Sequence, residues 1–274
     1  MSSGILQPVQ GFIEGERRSD PGTKNFACPK GFSALVKYFL AQAEPVETRY
    51  GARVINIKNE ATNKLQVFTD SGHTDVFDTV ILTMPVPQLF LIDGCIQDIL
   101  ESKPDLKKKL QAVTYSSRFC LGIYYPRGTH LNIPWTAKYI DGHPCIRYVC
   151  VDSCKRGADE DLVGPSLLVH TSVPYSIQHV EADKEAMKPI LMEFLNDLLP
   201  NLPQPDFIKS HKWRYSQVSK TFEGSSGCIS LLDEPPILIG GDAFTRSKFD
   251  GCIQSAETLV SFILKGNLLK ATGS

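Results

Sequence analysis

PPILIGGDAFTRSKFDGCIQSAETLVSFILKGN, residues 235–267, decides the reading of this chain. A short apolar strand runs into Gly240 and Gly241, a polar loop follows, and an amphipathic helix is predicted from about Gly251 to Leu264. Strand, glycine turn and helix N-terminus form the geometry in which α/β proteins hold nucleotide cofactors at the carboxyl ends of strands. Gly241 lets the backbone approach a ligand closely. Asp242 presents a carboxylate just past the strand, suited to accepting hydrogen bonds from sugar or ribityl hydroxyls. Gly251, Cys252 and Ile253 are expected to open the helix, whose free N–H groups carry partial positive charge. Taken alone, the same corner reads equally well as a plain strand-loop-helix turn in which Asp242 caps the backbone.

Working outward, three β-like runs precede it: Ala52 to Lys58, Lys64 to Thr69 and Phe77 to Met84. In the third, Val80, Ile81 and Leu82 are consecutive instead of alternating, which predicts a strand covered on both faces. The first 29 residues are polar and turn-rich and suit a hairpin or loop. A helix follows, with Phe32, Leu35, Val36, Phe39 and Leu40 on one stripe and Pro45 at its exit. Beyond a short helix from Pro104, the runs Ser117 to Tyr125, Cys145 to Val151 and Ser166 to Thr171 predict an antiparallel unit. A helix is predicted from Lys184 to Leu199, with Pro189 expected to kink it or delay its start.

Composition excludes some classes. A net charge of −1 over 274 residues gives no electrostatic reason to expect nucleic acid as a partner. No apolar run reaches the 18 or so residues that span a bilayer, so membrane insertion is not expected. The opening residues MSSGILQPVQ lack a secretory apolar core, which by itself points to the cytoplasm. Eight dispersed cysteines form neither a disulfide framework nor a C-x-x-C knuckle, and no metal site is expected.

GGDAFTRSKFDGCIQSA resembles the C-terminal flavin motif of the monoamine-oxidase-like flavoproteins, and its wording is closest to the renalase family. GARVINI, LTMPVPQ, AVTYSSRFCLGIYY, PCIRYVCVD, GPSLLVHTSVP and KWRYSQV resemble that family in the same order, covering Asn25 to Leu264. The resemblance implies an α/β (α+β) fold of glutathione-reductase and monoamine-oxidase-like topology. In it an FAD-binding Rossmann-like domain, incomplete here, carries an inserted, mostly antiparallel substrate domain. The expected segments are 1–29 and 89–232 for substrate, 30–88 and 233–266 for FAD, and a tail at 267–274.

The implied activity is oxidation of 2- and 6-dihydro isomers of NAD(P)H to NAD(P)+, with O2 reduced to H2O2 on a non-covalent FAD. The partners are then the dihydronicotinamide dinucleotide, O2 and a cell-surface receptor; the resemblance implies a secreted protein, and a monomer is expected. Carried over by motif, Val54 lies near the adenine, Thr83, Met84 and Pro85 near the nucleotide, Gly241 and Asp242 near the ribityl chain, and Gly251 to Ile253 at the isoalloxazine. Hydride transfer needs an oriented substrate ring more than an acid or base, so His170, Tyr175, Trp213, Arg214 and Tyr215 are candidates for the substrate wall. A Trp or Tyr at a strand end also reads as core with a satisfied polar tip.

One feature departs from that family. No G-x-G occurs in the chain, whereas such flavoproteins hold the pyrophosphate on a G-x-G-x-x-G turn. The sequence therefore reads as N-terminally truncated, with weak FAD binding, an exposed Val80 to Thr83 strand and poor solubility expected. The alternatives are an FAD-dependent amine oxidase, and a non-catalytic receptor-binding or truncated product.

Overall fold

The structure is a computed structural model and describes residues 4–16, 24–159, 162–224 and 227–272. The first elements are β1 (Gln7–Pro8), β2 (Ile13–Glu14), β3 (Phe26–Ala27), α1 (Phe32–Gln42), β4 (Val54–Asn59), β5 (Leu65–Thr69), β6 (Thr74–Phe77) and β7 (Val80–Leu82). Then come α2 (Val86–Leu89), β8 (Asp93–Gly94), α3 (Cys95–Ser102), α4 (Pro104–Gln111), β9 (Thr114–Tyr124), β10 (Ala137–Tyr139), β11 (Ile146–Val151) and α5 (Asp152–Lys155). The chain ends with β12 (Ser166–Thr171), α6 (Val173–Gln178), α7 (Lys184–Leu198), β13 (Phe207–Lys220), β14 (Cys228–Asp233), β15 (Pro236–Gly240), a 3-10 turn (Asp242–Phe244) and α8 (Phe249–Thr272).

These elements gather into two units, one of residues 1–48 with 117–214 and one of 49–116 with 215–274. The grouping differs from the segments drawn in sequence. Residues 89–116 and 215–232 fall in the second unit, because Ile92, Ile96, Leu100, Leu110, Phe222 and Leu231 pack into one core with Leu82, Ile237 and Ile239. Residues 30–48 fall in the first.

The first unit is built on a sheet in the order β13-β9-β12-β11-β10-β2. Its strands pair antiparallel from β9 through β10, and only the outermost contact, β10 with β2, is parallel. Alternation sends Phe119, Leu121, Ile123, Val149, Val151, Leu167 and Val169 to one face, where they pack with Met187, Leu191 and Leu195 of α7. Pro189 lies inside α7 without delaying it, since the Asp183 carboxylate accepts from the N–H groups of Glu185 (2.8 Å) and Ala186 (3.0 Å) and fixes the start. Helix α1 forms where its apolar period predicts, yet of its stripe only Leu35 is buried.

The second unit holds the sheets β6-β5-β4-β8 and β14-β15-β7. The third β-like run of the sequence is two strands, β6 and β7, split by the turn at Asp78 and Thr79. Strand β7 is not covered on both faces as its apolar run predicts. Its one neighbour among the described residues is β15, and Ile81 is 43% exposed while Leu82 enters the core. That matches the expectation of an open strand here. No described helix is long and apolar enough to cross a membrane, and no described group of His, Cys, Asp or Glu could hold a metal.

Candidate functional site

Two parallel strands of the second unit deliver separate motifs to one place. Leu82 of β7 lies opposite Ile239 of β15, so Thr83, Met84 and Pro85 leave the same sheet end as Gly240, Gly241 and Asp242. Gly241 sits at φ 119°, a conformation that favours glycine, and a Cβ there would come 3.5 Å from the Thr83 carbonyl. The two strand ends thus lie side by side, with no side chain on Gly241 to cover the backbone there. Gly240 is bare for a packing reason: a Cβ would lie 2.5 Å from Leu259 Cδ1 and 2.8 Å from Ser255 Oγ, so α8 rests directly on the strand. The buried Ser255 hydroxyl joins the parts, accepting from the Gly241 N–H at 2.7 Å and donating to the Gly227 carbonyl at 2.6 Å.

Asp242 starts the 3-10 turn and accepts from the Ser247 hydroxyl at 3.3 Å; that hydroxyl in turn accepts from the Val218 N–H at 2.8 Å. Tyr115 stands nearby. Its hydroxyl accepts from the Val86 N–H at 3.0 Å, one residue past the Thr83 to Pro85 segment, and its ring meets Tyr215 edge-on at 5.3 Å. Burial, and to a lesser degree the Asp242 carboxylate, raises the Tyr115 phenol above its ordinary value. Tyr215 is therefore placed with the nucleotide-binding candidates.

The helix after the loop opens at Phe249, not Gly251. Gly251 and Cys252 already donate their N–H groups to the Lys248 carbonyl, at 3.0 and 3.3 Å, so they are not the free donors expected from the sequence. At this earlier start Arg246 reaches Asp250 with two guanidinium nitrogens (2.9 and 2.5 Å). Cys252 still lies beside Asp242. Burial and that carboxylate raise its thiol pKa, which keeps the sulfur protonated and weakly nucleophilic.

Val54 and Met84 share a cavity of about 360 Å³ with Arg53, Gln88, Leu91 and Ile92. Apolar walls with a few polar groups suit a flat heteroaromatic ring. Tested against an FAD, the second unit fits in parts. The cavity can take an adenine, and the paired strand ends with Asp242 suit a polyhydroxylated chain. A glycine-rich turn to hold the pyrophosphate is not found in the sequence.

In the first unit, register aligns a second set of candidates. Tyr139 is opposite Tyr148, Tyr148 opposite His170, and His170 opposite Cys120. Burial pushes the Cys120 thiol up to about 12, against smaller lowering effects of Arg118 and of the Trp213 indole beside it. The row crosses the sheet on the face away from the α7 core, with ring centroids 4.9 Å apart for Tyr139–Tyr148 and 5.6 Å for Tyr148–His170. Burial first, then the charges of Arg118 and Lys155, pull the His170 pKa down to about 4 against a smaller opposing effect of Asp152, so the imidazole is neutral near pH 7.

His170 and Trp213 are thus brought together, and two other wall candidates are not. Tyr175 lies on the opposite side, packed on His179 (4.5 Å) and Phe194 (5.9 Å) beside Cys145, because Ser172 caps α6 and turns the ring into the α7 core. Arg214 forms a forked ion pair with Glu181 at 2.9 and 2.6 Å. Sequence reading missed Tyr115, Cys120, Ser247 and Ser255. Only Cys120 had a signal, the alternation Phe119, Leu121, Ile123 that leaves it on the other face.

A family model described as flavin containing amine oxidoreductase matches residues 6–261. The chain is 37% identical to renalase of Mus musculus over 264 residues, covering 96% of this chain and 75% of the mouse protein. Among solved structures it is similar to a protein assigned as a protoporphyrinogen oxidase from Exiguobacterium sp. 255-15, with TM-score 0.65 and 18% identity over 89% of this chain. A putrescine oxidase redesigned in its cofactor binding gives TM-score 0.60 and 15% identity over 88%. The chain spans about half the length of these two, 53% and 54% respectively.

Proposed function

Because the chain belongs to the flavin-containing amine oxidoreductase family and, within it, to the renalases, we propose that it is a flavoprotein oxidase of dihydronicotinamides. The substrates are the 2- and 6-dihydro isomers of NAD(P)H, the products NAD(P)+ and H2O2, and the cofactor a non-covalent FAD. The observation that carries this reading is the convergence of Thr83 to Pro85 with Gly241 and Asp242 at one end of β7 and β15.

A bound flavin supplies a two-electron acceptor that takes hydride from the substrate and returns the electron pair to O2. Val54, Met84 and Gln88 would hold the adenine, the backbone of Thr83 and Gly241 the middle of the cofactor, and the Asp242 carboxylate its ribityl hydroxyls. Tyr115 fixes the start of α2 through Val86 and so keeps Met84 against the cavity. Cys252 remains a thiol, which supports non-covalent binding. His170, neutral at physiological pH, and Trp213 orient a planar ring by hydrogen bonding and stacking. Neither needs to move a proton, since removal of hydride from a dihydronicotinamide carbon leaves an aromatic ring and no acidic proton to abstract.

We also propose that flavin is held weakly, on the ground that the sequence has no G-x-G turn for the pyrophosphate. The test is reconstitution of the purified chain with FAD, followed by desalting and a visible spectrum. Protein-shifted flavin retained at well under one per chain after desalting, with peroxide formed at saturating FAD from the dihydro isomers and not from benzylamine, is the expected result, and stoichiometric retention refutes weak binding. Flavin wholly in the wash, with no turnover at saturating FAD, refutes an oxidase made of this chain alone.

A further inference from the structure

The corner that follows β15 uses its own backbone donors. Gly241 gives its N–H to the buried Ser255 hydroxyl at 2.7 Å. Phe244 and Thr245 donate to the carbonyls of Gly241 and Asp242 at 3.1 and 3.3 Å, while Gly251 and Cys252 donate to that of Lys248. Donors of this kind hold phosphate where a strand runs into a helix; here they close the 3-10 turn and the start of α8. The Thr245 hydroxyl is also turned inward, donating to the Gly251 carbonyl at 2.9 Å. The corner keeps an acceptor, the Asp242 carboxylate, which is half-buried and in no ion pair among the described residues.

Among those residues the carboxylate has one hydrogen-bond partner. The Ser247 hydroxyl reaches Oδ2 at 3.3 Å and accepts from the Val218 N–H at 2.8 Å. A hydroxyl carries one proton, and a main-chain N–H can only donate. Val218 therefore fills a lone pair of Ser247 Oγ and leaves its proton for Asp242. Because Val218 belongs to β13, the carboxylate is referenced to a strand and not only to its own loop. Just past β13, the Phe222 N–H holds the same 3-10 turn through the Ala243 carbonyl at 2.8 Å. The lone pairs that Ser247 leaves on Asp242 can accept from ligand hydroxyls, whereas a phosphate meets them as a like charge. We propose that Ser247 is a positioning residue, orienting the Asp242 carboxylate so that this corner takes a neutral polyhydroxyl chain and turns away phosphate. That the chain is the ribityl of a flavin rests on the function proposed above.

The full chain, desalted free of flavin, is titrated by flavin fluorescence with riboflavin and with lumiflavin, which has the same ring but a methyl group in place of the ribityl chain. The ratio of the two affinities isolates what the hydroxyl chain contributes. Wild type should hold riboflavin about tenfold more tightly than lumiflavin. Ser247→Ala and Asp242→Asn should each cut that advantage to about twofold, the double variant should cut it no further, and Ser247→Thr should keep it. Circular dichroism confirms each fold, and Ser247→Cys, a weak donor of similar size, replaces the alanine variant if that one does not fold. A full advantage in Ser247→Ala, additive losses in the double variant, or an equal weakening of lumiflavin overturns the positioning role and leaves the oxidase reading intact. Displacement of riboflavin by inorganic phosphate beyond the effect of sodium chloride at equal ionic strength overturns the exclusion of phosphate. Equal binding of riboflavin and lumiflavin by wild type overturns the polyhydroxyl site. Binding of neither overturns this proposal together with the function above.

Discussion

His170 should make the first unit sensitive to mild acid. In the unfolded chain the ring takes its proton near pH 6.5; in the fold it does so only near pH 4, because it is crowded by β9, β11 and α5 and faces Arg118 and Lys155. Between those values the unfolded state binds more protons, so stability is whole above about pH 6.5 and is lost as pH falls toward 4. The gap from 6.5 to about 4, at about 1.4 kcal/mol per pH unit, comes to about 3.5 kcal/mol, an upper figure because the ring is not fully buried. The perturbation is His170→Gln, and the assay is urea unfolding followed by tryptophan fluorescence at pH 7.5, 6, 5 and 4. Both tryptophans, Trp135 and Trp213, belong to the first unit, so the signal reports on it alone. The variant should be the weaker protein at pH 7.5, having lost the Tyr148 ring contact, and equal or stronger at pH 4. Carboxylates titrate in both proteins and cancel. Parallel pH profiles for the two would refute the reasoning.

Two further outcomes follow from the second unit. Ser255→Ala strands the Gly241 N–H and the Gly227 carbonyl in a buried place, and should cost about 2–4 kcal/mol in chemical denaturation and loosen whatever flavin is retained; a loss below about 0.5 kcal/mol would show that the bridge is not needed. Ile81→Lys puts a charge on the open strand β7, and should raise the fraction remaining in solution after centrifugation while moving the unfolding free energy by no more than about 0.5 kcal/mol; unchanged aggregation would mean that this strand is not the sticky surface.

What the sequence disclosed was what depends on neighbours along the chain. The apolar period of α1, the strand and glycine pair before Asp242, and the run Met187, Leu191, Leu195 of α7 were all readable because their spacing is local. What the elements face was not. Phe32, Val36 and Phe39 keep the helical period and yet are 59%, 48% and 47% exposed, and Val80 to Leu82 reads as a covered strand although its covering is partial. In the candidate site, His170 and Trp213 were named from their motifs. Their joining through Cys120 depends on the register of β9 with β12, which no local pattern encodes. Tyr175 shows the converse: it lies only five residues from His170 but on the other side of the sheet, since the Ser172 cap turns the chain into a helix between them. Tyr115 and Ser247 were silent because each acts through a backbone N–H from a distant segment.

The pairing of β7 with β15 also sets a timetable for synthesis. Val80 meets Ile237, more than half the chain later, so the strand emerges from the ribosome long before its partner exists. At about 5–20 residues per second, that delay is roughly ten to thirty seconds. Until it ends, Val80, Ile81 and Leu82 have no sheet neighbour among the described residues and are open to chaperones or to other nascent chains. Slowing elongation downstream of Leu82 should therefore lower the soluble yield of this protein.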